Sequence, residues 1–154
     1  MTKYILSVVM LIGFVAPANH AQTKAAFNAL RLCDQISEIK RFPVKGEPGV
    51  DSTYDALIAA GDDVIPCLIE RITDTTPMHD PRCPAWAEKV AVGDTAYYVL
   101  LDKTDLGFAD LLPKNIQERY KTEGVLAFDK YIRQKGARRQ LQSRLHEWYR
   151  KTHS

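Results

Sequence analysis

The stretch from Ser52 to Asp74 constrains the fold more than any other part of the chain. Ser52 is typical of a helix N-cap, and the apolar residues after it recur at helical spacing. Gly61 then marks the end of this helix, where glycine adopts a positive φ at little cost. A second apolar run follows an acidic pair and has Pro66 in its first turn, where the missing N–H costs little. The pattern predicts two short helices folded back on each other.

The order of helix, glycine turn, acidic cap, early proline and apolar helix resembles one repeat unit of the HEAT family. A solenoid needs about three stacked repeats to be stable, and only one such unit is clear in this chain. We therefore predict an all-α fold, a compact multi-helix domain with one HEAT-like helical hairpin. An ordinary αα-hairpin of no particular family is the alternative. The predicted apolar faces comprise Tyr54, Leu57, Ile58, Val64, Ile65, Leu68, Ile69 and Ile72.

Helical patterns also precede and follow this pair. They share apolar spacing bounded by glycine, proline or acidic residues, and they cover Ala25 to Ile39, Gly93 to about Asp102, Lys114 to Glu123, Val125 to Gln134 and a last helix after Gly136. In that last helix Leu141, Leu145 and Trp148 form a narrow apolar stripe. Such a stripe usually docks a terminal helix on its own domain.

Residues 1–21 have the pattern of a secretory signal peptide. Lys3 precedes a 12-residue apolar run from Ile5 to Ala16, which is too short for an ordinary membrane span. Cleavage is expected after Ala18 or Ala21, which leaves residues 22–154 as a single helical domain. We expect the mature protein to be periplasmic, without a lipid anchor because no cysteine lies at either cleavage site.

The chain has three cysteines, Cys33, Cys67 and Cys83. An oxidising compartment favours one disulfide, with one thiol left over. Cys67 and Cys83 are separated by 15 residues, and closing a loop of that size would contribute about 3 kcal/mol. We favour a Cys67–Cys83 bond. A bond from Cys33 to either partner, or three reduced thiols, are the alternatives.

The segment after the central pair is rich in proline, so regular structure is not expected there. Prolines restrict the unbound chain and reduce the entropy cost of ordering a binding loop. We predict a rigid partner-binding loop, and a plain surface loop held by Cys83 is the alternative. The spacing of the histidine, aspartate and cysteine in this segment matches no standard zinc motif. The predicted contact residues are Thr76, Pro77, Met78, His79, Asp80 and Arg82.

Charge is divided along the chain. Residues 114–154 hold 11 Lys and Arg against 4 Asp and Glu, whereas residues 22–113 hold 9 against 15. A basic region can bind nucleic acid or anionic lipid. The export signal and the lack of a stacking-aromatic motif argue against nucleic acid, and Glu147 interrupts the basic face that a membrane would need. We predict a surface that steers a protein partner, or basic helices packed beside acidic ones.

An exported, helical, disulfide-capable chain without a catalytic, cofactor or metal signature resembles the small periplasmic immunity proteins encoded beside type VI secretion amidase effectors. In those families the immunity protein binds and blocks a peptidoglycan-cleaving enzyme, in some cases by inserting a loop into its catalytic cleft. The resemblance implies a protein partner, a secreted amidase effector, and no enzymatic activity or cofactor of its own. It is compatible with a homodimer. It rests on the overall profile and assigns no residue.

Two other functions fit the sequence less well. One is a general periplasmic HEAT-like adaptor or structural protein. The other is a cysteine hydrolase that uses Cys67 or Cys83 with His79 or His146. The apolar neighbours of Cys67 argue against the hydrolase, because they bury a thiol and make it inert.

Overall fold

The structure is a computed structural model that describes residues 28–40, 51–78 and 90–153. Within those ranges the chain forms seven helices and no strand, which confirms the predicted all-α fold. The signal peptide predicted at residues 1–21 lies outside the described residues. None of the helices in the described ranges has both the length and the apolarity needed to cross a membrane.

The helices are numbered in chain order. They are α1 (residues 28–34, extended by a 3-10 turn, Gln35–Glu38), α2 (Ser52–Ala59), α3 (Ile65–Arg71, preceded by a 3-10 turn, Asp62–Val64), α4 (Val92–Lys103), α5 (Lys114–Glu123), α6 (Val125–Ile132) and α7 (Ala137–Thr152).

Helix α3 lies at the centre of the domain. It packs against α4 and α7, and four of its seven residues are buried. Leu68 and Ile69 are fully enclosed, and burial of one such side chain contributes about 1.5–3 kcal/mol. Helix α2 also packs against α4. Helix α4 is therefore the element against which both helices of the predicted pair make their main contacts.

Polar contacts reinforce the packing of α2 on α4. The Tyr54 hydroxyl donates a hydrogen bond to the Asp102 carboxylate. The Lys103 ammonium donates to the carbonyl oxygens of Ile58, at 3.1 Å, and Ala60. The C-terminal carbonyls of a helix lack partners within the helix. Lys103 supplies a hydrogen-bond donor to two carbonyls at the end of α2, and its positive charge also complements the helix dipole.

Two details of the predicted α2–α3 pair, its first N-cap and the conformation of its glycine turn, are wrong. Asp51 is the N-cap of α2, one residue before the predicted Ser52, and its side chain accepts hydrogen bonds from the N–H groups of Thr53 and Tyr54. Gly61 has φ −63°, an ordinary value for any residue, because the chain leaves α2 in extended conformation from Ala60 onward. Pro66 does lie in the first turn of α3, as predicted.

Positive φ angles occur instead at the later corners of the domain. Gly124, between α5 and α6, has φ 58°, and Gly136, before α7, has φ 81°. Helix α5 has the predicted bounds, whereas α6 ends at Ile132, two residues before the predicted end.

Helix α7 docks on the domain through the predicted apolar stripe. Leu141 and Leu145 are fully buried, and Trp148 is partly buried against the core. The Gln142 side-chain amide donates to the Ile69 carbonyl at 3.2 Å and so ties α7 to the end of α3. The stripe therefore serves the domain's own core, as the spacing indicated.

The disulfide joins Cys33 on α1 to Cys67 on α3, so the favoured Cys67–Cys83 pairing is wrong. The two Cα atoms lie 6.2 Å apart, within the range that a disulfide spans. Packing of α1 beside α3 places the two cysteines together although they lie 34 positions apart in the sequence. An ion pair between Arg71 and Asp34 joins the same two elements. Cys83 lies outside the described residues.

Candidate partner-binding site

Two backbone hydrogen bonds close the base of the segment predicted to bind a partner. The Met78 N–H donates to the Val90 carbonyl at 2.8 Å, and the Val92 N–H donates to the Thr76 carbonyl at 2.9 Å. Pro77 and Ala91 face each other in the antiparallel bridge that these bonds form. We call residues 76–78 and 90–92 the stem. The stem fixes the positions of the residues that flank 79–89 in the chain.

The predicted contact residues divide into three groups. Thr76 and Pro77 are exposed on the stem. Met78 is only 4% exposed and belongs to the core, so the expectation that it contacts a partner is wrong. Its apolar side chain turns inward and anchors the stem. His79, Asp80 and Arg82 lie outside the described residues.

Asp74 organises the approach to the stem. Its side chain accepts the Thr76 N–H at 2.9 Å, and its carbonyl accepts the Gly93 N–H at 2.9 Å. Arg71 lies 3.4 Å from the same carboxylate. Partial burial would raise the pKa of Asp74, but the hydrogen bonds from Thr76 and the Arg71 charge outweigh that effect and hold the pKa below its ordinary value. The carboxylate is therefore charged at neutral pH.

The start of α4 approaches the end of α3 so closely that only glycine fits between them. A Cβ atom at Gly93 would lie 2.4 Å from the Ile72 carbonyl oxygen and 2.9 Å from that of Arg71. Both are backbone atoms, so the clash could be relieved only by moving one helix from the other. Gly93 thus places residues 90–92 of the stem directly against the centre of the domain.

A buried ion pair joins three helix ends beside the stem. The Arg138 guanidinium on α7 donates to the Asp94 carboxylate on α4 at 2.7 Å and to the Ile72 carbonyl after α3 at 3.1 Å. The other Asp94 oxygen accepts the Ala91 N–H of the stem at 2.9 Å. The two side chains are only 10% and 15% exposed. We call Asp94 and Arg138 the clamp, because together they hold α3, α4, α7 and the stem.

A groove of about 480 Å³ lies next to the stem. Among the described residues, the charged lining consists of Arg133, Arg138 and Arg139, and no described lining residue is acidic. Arg133 and Arg139 are exposed, and Arg133 forms an ion pair with Asp129 at 2.6 Å. The full lining is Thr73, Thr75, Pro77, Val90, Ala91, Ile132, Arg133, Gln134, Gly136, Arg138 and Arg139. The site therefore combines a fixed stem with a basic surface.

Reasoning from the sequence did not single out these arginines. The signal available was the basic character of residues 114–154, from which we predicted a steering surface. That character says nothing about which of the basic residues come together. The groove forms because α7 begins beside the stem, which is a consequence of tertiary packing.

Within residues 28–40, 51–78 and 90–153, no group of three or more His, Cys, Asp or Glu side chains is arranged to hold a metal ion. Cys67 is bonded to Cys33, so it presents no free thiol. His146 lies 3.1 Å from Glu70 on the surface of α7. Comparisons of the chain with protein-family models, with curated proteins and with solved structures found no match.

Proposed function

We propose that this chain is an exported protein-binding module, an immunity protein or inhibitor that blocks a cognate peptidoglycan-cleaving amidase effector. The observation that carries the proposal is the stem. It holds both ends of an 11-residue segment, residues 79–89, against the helical body. Binding residues occur disproportionately on loops that a rigid scaffold positions.

The stem supports binding because it reduces the entropy cost of ordering the segment. Two hydrogen bonds, the buried Met78 and the clamp fix its ends before any partner arrives. Pro77 lies in the stem, and Pro81 and Pro84 lie in the segment itself. A binder whose contact surface is ordered in advance loses less free energy on association. This is the property expected of a tight inhibitor.

The proposal of an inhibitor rests on this geometry together with the resemblance of the sequence to small periplasmic immunity proteins. Immunity proteins of that kind bind one enzyme and have no activity of their own. The stem brings Met78 and Val90, which flank residues 79–89, side by side, and a segment between two such fixed points is suited to entering a concave catalytic cleft. The basic groove beside the stem offers a second contact area at the rim of such a cleft.

The test measures inhibition of a defined enzyme by the purified mature chain. The enzyme is the product of the gene adjacent to this one, assayed for release of soluble fragments from purified peptidoglycan. We expect stoichiometric inhibition and nanomolar binding. Absence of binding to this enzyme, or binding without loss of its activity, would contradict the proposal, and capture of several abundant envelope proteins would favour the adaptor alternative.

A matched pair of variants tests the role of the stem. Val92 is the first residue of α4, a position that tolerates proline, so Val92→Pro removes the N–H that bonds Thr76 without breaking the helix. Val92→Ala removes the same buried side chain and keeps the N–H. We expect Val92→Pro to weaken binding about tenfold relative to Val92→Ala. Equal affinities would show that closure of the stem does not matter for binding.

A further inference from the structure

We propose that the groove beside the stem binds an acidic segment of the partner protein, with Arg139 as its main contact. This inference rests on the proposed function, because it assumes a protein partner, and it identifies the chemistry of the partner's surface. Three observations carry it. They are the charges that line the groove, the exposure and ion-pair partners of each arginine, and the types of residue in the remaining lining.

The three arginines differ in how far their charges are already balanced. The Arg138 side chain is only 15% exposed, and the Asp94 carboxylate balances its charge within the clamp. Arg133 is exposed and shares its charge with Asp129, whose side chain is 44% exposed. Arg139 is exposed and makes no hydrogen bond or ion pair with any residue that the structure describes. The described lining therefore has a surplus of positive charge, and the Arg139 guanidinium has no acceptor among the described residues.

Arginine is suited to carboxylate recognition. Its planar guanidinium can donate two parallel hydrogen bonds to one carboxylate, and such charge-assisted pairs are stronger than neutral hydrogen bonds. Arg133 and Arg139 lie on either side of the turn before α7 and both line the groove. Two carboxylates on one partner segment could thus be bound in neighbouring positions.

The other lining residues favour a polypeptide over other anions. Thr73, Thr75 and Gln134 supply neutral hydrogen-bonding groups, and Pro77 and Ile132 supply apolar surface. A peptide presents amide, apolar and carboxylate groups within one segment and can use all of these. No aromatic side chain is among the described residues that line the groove, so these residues provide no stacking surface of the kind that usually binds single-stranded nucleic acid. A concave site also suits a peptide better than the flat surface of a membrane.

A defined probe tests the groove without the partner. Binding of a fluorescein-labelled glutamate-rich peptide is measured by fluorescence anisotropy at low ionic strength, with the glutamine counterpart as the neutral control. The variants are Arg139→Glu and Arg150→Glu. Both reverse one exposed charge on α7, and they are separated by roughly 16 Å along the helix axis. The net charge of the two variants is identical.

We expect the glutamate-rich peptide to bind at least about tenfold more weakly to Arg139→Glu, and within about twofold of wild type to Arg150→Glu. Arg133→Gln should give an intermediate loss. An equal loss in Arg139→Glu and Arg150→Glu would show that only overall charge matters and would overturn the proposal, as would no loss in either. Tighter binding of single-stranded DNA or of anionic phosphatidylglycerol vesicles, lost in Arg139→Glu, would assign the groove to another class of partner.

The same variants separate this inference from the proposed function. If the adjacent-gene enzyme is inhibited equally by wild type and by Arg139→Glu, the proposed function stands and the groove is not its contact. If the glutamate-rich peptide binds at Arg139 while the enzyme is neither bound nor inhibited, the groove has the inferred chemistry and the proposed function is wrong.

Discussion

The α2–α3 region and the junction around the stem are held together by different kinds of contact. In residues 51–71 the buried side chains are apolar, the helix cap is local, and a disulfide adds a covalent tie. At the junction, Asp94 pairs with Arg138, which lies 44 positions away in the sequence. There the backbone of α4 at Gly93 also lies directly against backbone oxygens at the end of α3. The stability of the first region depends on the apolar area that it buries. The stability of the second depends on the positions of a few polar atoms.

The difference matters because the two kinds of contact respond differently to change. Apolar packing is non-directional, and a volume-conserving substitution usually costs less than about 1.5 kcal/mol. A buried polar group that loses its partner bears the full cost of its own desolvation. The stem thus belongs to the part of the domain in which single substitutions have specific, interpretable effects.

The largest expected effect concerns the covalent tie in the α2–α3 region. Replacing Cys33 and Cys67 together by alanine should lower the free energy of unfolding by about 4 kcal/mol, the chain-entropy value for a closed loop of 34 residues. Urea denaturation measures this loss. Cys83→Ala is the matched control and should leave the free energy of unfolding unchanged. A peptide map in which Cys67 is linked to Cys83 would contradict the assignment.

Breaking the clamp comes next. Arg138→Ala leaves the Asp94 carboxylate with 10% exposure and without its cation, so we expect a loss of about 3 kcal/mol. Arg139→Ala changes the neighbouring residue, which is exposed, and should shift stability by no more than about 0.5 kcal/mol. The contrast sharpens the comparison, because two adjacent positions of α7 hold a structural arginine and a surface arginine. Similar losses of stability in both variants would contradict the structural role of the clamp.

Two glycine substitutions compare the regions directly. Gly93→Ala places a methyl group within 2.4 Å of a backbone oxygen, and we expect a loss of about 2 kcal/mol as α4 is displaced. A Cβ atom at Gly61 would meet nothing within 4 Å, and its φ suits alanine. Gly61→Ala should therefore stabilise the protein by about 0.5 kcal/mol, because it restricts the unfolded chain. Thermal unfolding under one set of conditions should show a lower Tm for Gly93→Ala and a higher Tm for Gly61→Ala than for wild type.

The smallest effect is a dependence on acidic pH. The folded pKa of Asp74 lies below its unfolded value of 3.8, so its contribution to stability is present above that value and is lost as pH falls through the folded pKa. Asp74→Asn keeps an acceptor for the Thr76 N–H and removes the charge. The stability difference between wild type and Asp74→Asn should be largest near pH 7 and should shrink below pH 4. A constant difference across this range would contradict a role for the charge.

The comparison also explains what could be predicted from the sequence. The apolar spacing from Tyr54 to Ile72 identified buried positions, and the bounds of α5 matched, because helical periodicity and glycine corners act over a few residues. The N-cap was misplaced by one residue because Asp51 and Ser52 are both good capping residues. Local patterns cannot choose between such neighbours.

The contacts at the junction depend on packing between distant segments. Asp94 was readable as a helix cap, yet nothing near it in sequence indicates Arg138 as its partner. Met78 lies in a proline-rich stretch that resembles a surface loop, and only the fold shows that its side chain enters the core. The Cys33–Cys67 bond was only an alternative prediction for the same reason, because spacing favours the pair of cysteines that is nearer in sequence.

The stem also has an evolutionary consequence. Its two backbone hydrogen bonds hold residues 76–78 beside residues 90–92, so we expect a change in the number of residues between positions 78 and 90 to leave this pairing in place. The closure-entropy cost of a flexible loop rises by only about 0.6 kcal/mol when its length doubles. Related chains could therefore differ in the length and sequence of residues 79–89 and keep the same helical core.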